Sequence, residues 1–242
     1  MIDRWIPERA MFIYAHPDDI EFSVAGTAAT WARRGSEVVY VILTDGSAGS
    51  HTTDMTREEL IEIRRAEQEA AAAVVGAKQC IFLGYQDGFL EPTLELRKQL
   101  VRLIRQYRPQ AVVCGDPRMF FSGNTYINHP DHRAAARLAV EAVFPAAEMD
   151  LLYPDLVEEG LRGHKVNAVY VSTGDDPDTY VDISDAIHLK IEALRQHASQ
   201  LGDWDPEPRT RQRNAEIGKD AGCEYAEAFR RMTLKPWEGK ES

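Results

Sequence analysis

Six residues in a row, Val38-Val39-Tyr40-Val41-Ile42-Leu43, carry no charge and almost no polar side-chain atom. A strand with one wet face alternates apolar and polar residues; an unbroken apolar run is covered on both faces. Strands of that kind belong to parallel sheets packed between helices. Similar short runs at Met11–Ala15, Cys80–Leu83 and Ala111–Cys114 are separated by helical patterns over about 20–34, 56–75 and 94–107. Gly35 and Gly76 stand where a left-handed residue stops a helix, and Thr56 with Glu59 forms a capping box. Helices over about 132–144, 187–200 and 210–232 and strands over 166–172 and 180–183 complete the pattern. The expected fold class is α/β, a mainly parallel sheet with helices on both faces, in one domain over 1–242. The C-terminal region, about 186–242, is expected to be helical and to form a lid or oligomer contacts.

At 242 residues and 44% apolar, the chain can bury a sizeable core. Its formal net charge is −11 and it has no run of Lys and Arg, which excludes nucleic acid and an anionic membrane as expected partners. No apolar segment is long enough to span a bilayer, and the first residues do not resemble a signal peptide. Cys80, Cys114 and Cys223 are scattered, with no Cys-x-x-Cys. Cys80 and Cys114 read as core residues of a reducing compartment. The expected location is the cytoplasm.

The chemistry lies in two similar segments: Ala15-His16-Pro17-Asp18-Asp19 after the first strand, and Asn128-His129-Pro130-Asp131-His132 after the fourth. Ligands of open parallel sheets bind outside the carboxyl ends of the strands, so these segments can meet in space. Each holds two candidate metal ligands three residues apart. His16 and Asp19 can converge across the Pro17 turn, and His132 can join them from the first turn of a helix opened by Pro130. Two imidazoles and a carboxylate make a catalytic zinc set with a position left for water. Spacing alone leaves open whether Asp18 or Asp19 is the ligand. The groups left over suit acid–base work. An Asp beside the water on the metal is a natural base. His129 can stabilise an oxyanion and protonate a leaving amine, with Asp131 holding its ring. Helix capping explains an Asp at such a junction but neither histidine.

These residues resemble the LmbE-like (PIG-L) family of zinc-dependent de-N-acetylases. The likeness extends to Glu21, Leu43-Thr44-Asp45-Gly46 with Gly49, Arg64-Arg65-Ala66-Glu67, Asp87-Gly88 and the late Lys190…His197-Ala198-Ser199-Gln200. The resemblance implies a Rossmann-like fold that binds one zinc ion per chain, or another divalent metal, in place of a dinucleotide. It implies His16, Asp19 and His132 as metal ligands and Asp18 as base, with His129 stabilising the tetrahedral intermediate, oriented by Asp131. It also implies an N-acetylglucosamine conjugate as the small-molecule partner, and a homo-oligomer.

Arg64 matches a position that contacts sugar hydroxyls in some members; the other reading is a solvated helix face with Glu67 and Glu69. Asp87 is expected to touch a hydroxyl or to shape a turn with Gly88. Where some members carry a Tyr that polarises the carbonyl, this chain has Ile127; either the adjacent Tyr126 substitutes, or polarisation rests more on zinc and His129. His51 and His197 are weighed as pocket residues against a mobile loop and a helix surface. Trp204 is weighed as a sugar-stacking ring against packing under a lid. His164 and His188 read as structural or solvent-facing. Two other functions compete: a metal-dependent phosphoesterase, which needs a metal pair, and a non-catalytic zinc-binding protein with a closed site.

Overall fold

The computed structural model describes residues 1–49, 55–173 and 175–234. In chain order its elements are β1 (Arg9–Tyr14), α1 (Asp19–Ser23), α2 (Ala25–Arg33), β2 (Glu37–Thr44), α3 (Arg57–Val75) and β3 (Gln79–Tyr85). Then come α4 (Leu94–Tyr107), β4 (Ala111–Gly115), β5 (Phe121–Ser122), β6 (Tyr126–Ile127), α5 (Pro130–Glu141) and α6 (Pro154–Glu158). The chain closes with β7 (Ala168–Ser172), β8 (Thr179–Asp182), α7 (Ile187–Arg195), α8 (Ala198–Leu201), α9 (Glu207–Ala221) and β9 (Ala226–Thr233).

The main sheet has the order β3-β2-β1-β4-β7-β9-β8. β3, β2, β1, β4 and β7 run parallel. β9 lies antiparallel to both β7 and β8. Alternate residues of β1 and β2 feed two cores, Phe12, Tyr40 and Ile42 on one face and Met11, Ile13, Val39, Val41 and Leu43 on the other. This double coverage is what the apolar run at 38–43 requires. Each such side chain contributes about 1.5–3 kcal/mol on burial.

The capping box at Thr56 and Glu59 is formed, and α3 ends at Gly76 in the left-handed region. Four expectations need correction. The helix over 187–200 is two helices, Ile187–Arg195 and Ala198–Leu201. The helix over 20–34 is two helices, broken at Val24. The buried Glu227 carboxylate binds Gly26 N–H (3.0 Å) and Thr27 N–H (2.7 Å), so it caps the restarted helix. The helix over 210–232 ends at Ala221, where Gly222 takes a left-handed cap, and the chain turns back as β9. The C-terminal region is thus not all helical. Its strand is clamped between β7 and β8, and every ladder partner it gains is a sheet bond that a helix would forgo. Cys80 is only half-buried, because β3 is an edge strand; Cys114, in central β4, is fully buried.

β1 has β2 on one side and β4 on the other, so successive connections leave it in opposite directions. That reversal opens a crevice at the carboxyl ends of β1 and β4. His16 follows β1, and His129 caps α5 after β4.

Candidate metal centre

Three side chains converge in the crevice. His132 Nε2 lies 3.1 Å from His16 Nδ1 and 3.0 Å from Asp19 Oδ1, and His16 Nδ1 lies 3.4 Å from Asp19 Oδ2. Donors at zinc bond lengths in a tetrahedron sit about 3.3 Å apart. The protons show why these three side chains need a cation. His16 Nε2 faces Asp87 (3.1 Å) and Asp131 (3.2 Å), so it carries the N–H. His132 Nδ1 faces Asn128 Oδ1 at 3.1 Å, and the Asn128 amide is held that way round by donating to the Met119 carbonyl at 2.9 Å. The remaining nitrogens, His16 Nδ1 and His132 Nε2, therefore point lone pairs at each other and at a carboxylate. Carbonyl and carboxylate partners behind the rings are the usual support of metal-binding histidines. The donor set fits a divalent metal.

The electrostatics agree. Burial alone would lower the basicity of His16; hydrogen bonds that the ring donates to Asp131 and Asp19 overcome it and push the ring up to about 12. Burial opposes the ionisation of Asp19 and Asp131, yet the imidazoles and, at Asp131, the backbone N–H groups hold both carboxyls below the usual range. A pocket that keeps a proton so firmly is one that calls for positive charge.

Asp18 stands beside this set without joining it. Its backbone takes φ 87°, a left-handed conformation costly for a non-glycine residue. Two residues of α3 one turn apart hold it there. Gln68 Oε1 accepts the Asp18 N–H at 2.8 Å, and Arg64 Nη2 donates to its carboxylate at 2.8 Å. Gln68 in turn donates to both oxygens of the buried Glu21. Burial raises the Asp18 carboxyl to about 7 against the pull of Arg64, with Asp19 adding to the rise.

His129 accepts the Asp131 N–H on Nδ1 at 3.2 Å, which places its own proton on Nε2. Burial and then the charge on His16 keep this ring below the ordinary imidazole range. His129 thus favours the neutral form, a donor rather than a charged acid.

The expected role of Asp131 changes. Its carboxylate receives His16 Nε2–H, Gly88 N–H (2.7 Å) and Leu90 N–H (3.2 Å), and it reaches His129 only through its backbone. Parallel pairing of β1 with β4 puts His16 closer to it than its sequence neighbour's ring. Arg64 is not on a solvated helix face. It is 3% exposed and donates to Gly46 and Pro17 carbonyls as well as to Asp18. Asp87 binds His16 and the Ala48 N–H. Tyr126 lines the cavity over the centre. His197 lies on no surface: it is fully buried, with Nε2 3.3 Å from Glu21. His164 is structural, bonded to the Pro109 carbonyl, and His188 is exposed. His51 lies outside the described residues.

Sequence reasoning missed Gln68 and Asn128. Gln68 had a signal, since Leu60, Arg64, Gln68, Ala71, Ala72 and Val75 form the buried stripe of α3 and two of them are polar. The cluster His16–Asp87–Asp131 also groups three candidate ligands, but its shared nitrogen holds a proton, so it gives the phosphoesterase reading no second metal site among the described residues.

Comparison with known proteins decides the family. The profile described as PIG-L, GlcNAc-PI de-N-acetylase, matches residues 11–143, the stretch that carries both motifs. The chain belongs to the PIG-L family. Among PIG-L relatives, it is 36% identical to a diacetylchitobiose deacetylase of Thermococcus kodakarensis, over 92% of this chain and 82% of that protein. Among solved structures it is similar to an N,N'-diacetylchitobiose deacetylase of Pyrococcus horikoshii. That match has a TM-score of 0.86, 31% identity, and covers 96% of this chain and 88% of the other. It also shares its fold with GalB, a 4-carboxy-2-hydroxymuconate hydratase of Pseudomonas putida KT2440. There the TM-score is 0.78 at 23% identity, with 96% of this chain and 98% of the other covered. The PIG-L chain is therefore a member of a deacetylase family, on a fold shared with a protein named as a hydratase.

Proposed function

We propose that this protein is a zinc-dependent hydrolase that removes the acetyl group from an N-acetylglucosamine-type amino sugar or its conjugate. One observation carries the reading: three lone-pair donors 3.0–3.4 Å apart, with an unligated carboxylate and an N–H donor beside them. His16, Asp19 and His132 would hold the metal. When bound, it supplies Lewis acidity toward a carbonyl oxygen and lowers the pKa of water.

The chain's own groups supply the rest. Asp18 accepts the proton of the attacking water, and a carboxyl raised toward neutral pH suits it to return that proton to the departing amine. His129 Nε2–H donates to the carbonyl oxygen as charge develops on it. The Asp131 N–H bond and the N-terminus of α5 keep the ring neutral and aimed. Asp131 and Asp87 fix the tautomer of His16. Arg64 steers Asp18 rather than the sugar, and Tyr126, in the cavity wall, is the aromatic candidate for contact with the acetyl carbonyl. Three protein donors with open space beside them suit a catalytic site better than a closed structural one.

No helix of the described residues is long and apolar enough to cross a membrane. From the scattered cysteines we infer a cytoplasmic location, and from the resemblance a homo-oligomer. The test is acetate release by zinc-loaded protein over a panel of N-acetylglucosamine conjugates. Asp18→Ala is expected to abolish turnover and retain the metal; wild-type turnover in that variant would overturn the assignment of the base.

A further inference from the structure

The cavity over the centre is large, about 900 Å³, near the upper end of small-molecule sites. The acetamido group needs only its metal end. Phe22 stands in the wall of the same cavity. It follows Asp19 by three residues on α1, and its N–H donates to the Asp18 carbonyl at 3.0 Å. Its position relative to the reacting end is thus fixed by a single turn of helix.

The ring of Phe22 is stacked with the indole of Trp204, centroids 6.4 Å apart and planes 19° from parallel. Both rings remain accessible, 37% for Phe22 and 43% for Trp204. The short loop carrying Trp204 is anchored at both ends. Trp204 N–H donates to the Leu201 carbonyl at 3.0 Å. Arg195 reaches from α7 to Asp205 (3.2 Å) and Glu207 (2.7 Å). Neither ring is under a lid among the described residues. Phe22 in the cavity wall, with Trp204 stacked against it and both rings partly in water, forms a ready platform for a ligand with an apolar face and polar edges. A pyranose ring has that shape, with C–H groups on its face and hydroxyls around its rim.

We infer that Phe22 and Trp204 form a stacking subsite for a second ring of the substrate, beyond the acetamido sugar that is cut. This inference rests on the deacetylase reading for the identity of the first ring. The test is calorimetric binding of N-acetylglucosamine and N,N'-diacetylchitobiose to zinc-loaded protein carrying Asp18→Asn to suppress turnover. Adding Trp204→Ala or Phe22→Ala is expected to raise the disaccharide Kd about threefold to tenfold. The monosaccharide Kd should stay within about twofold, and Trp204→Phe, which keeps a ring, should recover most of the loss. Unchanged disaccharide binding in both alanine variants, or equal losses for the two sugars, would overturn the subsite. Acetate release by protein with Asp18 intact reads the reaction separately. Release that ignores Trp204 keeps the deacetylase reading and removes the subsite; binding through Trp204 without release does the reverse.

Discussion

Asp131→Asn separates the two roles that Asp131 could play. The carboxylate is fully buried and accepts from His16 Nε2 (3.2 Å), Gly88 N (2.7 Å) and Leu90 N (3.2 Å). Asparagine has the same shape but a single oxygen. Whichever way its amide turns, the NH2 group meets at least one of those three donors. An unpaired donor in so dry a place costs about 1–3 kcal/mol. His16 also loses the anion that keeps its proton on Nε2 and its lone pair toward the metal. Removing a partner of this kind lowers metal affinity about 10–100-fold, or about 1.4–2.7 kcal/mol. The assay is a zinc titration in competition with a chromophoric chelator, with thermal denaturation of the metal-free protein beside it. The expected result is a weaker zinc Kd in that range and a lower Tm. Had Asp131 steered His129 instead, kcat would fall at constant zinc affinity. A zinc Kd within about twofold of wild type would refute the reasoning.

Gln68→Leu takes the acceptor from the Asp18 N–H and the donor from Glu21; kcat should fall by about 10²-fold with the metal content of the purified protein unchanged, and a near wild-type kcat would count against its positioning role. Arg64→Gln removes the cation that favours ionised Asp18. A base works when ionised, so activity is present above its pKa and lost as pH falls through it. The acid limb of the pH–rate profile should therefore move to higher pH, and a stationary limb would contradict the pairing. Lys190→Met strands the Glu227 carboxylate, which meets Lys190 Nζ at 2.6 Å with both side chains 2% exposed. Unfolding free energy in denaturant should drop by about 3–5 kcal/mol, and adding Glu227→Gln should recover part of it.

The parts of the fold visible in the sequence were those governed by local rules. The Thr56 capping box, the stop at Gly76 and the two-sided burial of 38–43 each follow from a few neighbouring residues. The candidate ligands were legible because strand order in a parallel sheet brings carboxyl ends together. β9 was hidden by its own pattern: Tyr225, Ala228, Phe229 and Met232 have helical spacing, and only Gly222 argues against continuing α9. Sheet pairing with β7 and β8 settles that conflict from outside the segment. The direction of Asp131 was illegible for a similar reason, since a carboxylate two residues from His129 turns instead to a ring 115 positions away. Polar residues on the buried stripe of α3 were the one unread local clue.

The insertion of β9 between β7 and β8 also has a consequence in time. His16, Asp19 and His132 all precede the end of α5, whereas Asn214 and Ala228, on α9 and β9, belong to the wall of the same cavity. At about 5–20 residues per second, a ribosome delivers that wall roughly 5–20 s after the last of the three candidate ligands. The grip on the metal and the enclosure for the sugar are thus written at different points of the message, in the order in which an enzyme would acquire its ion and then its substrate.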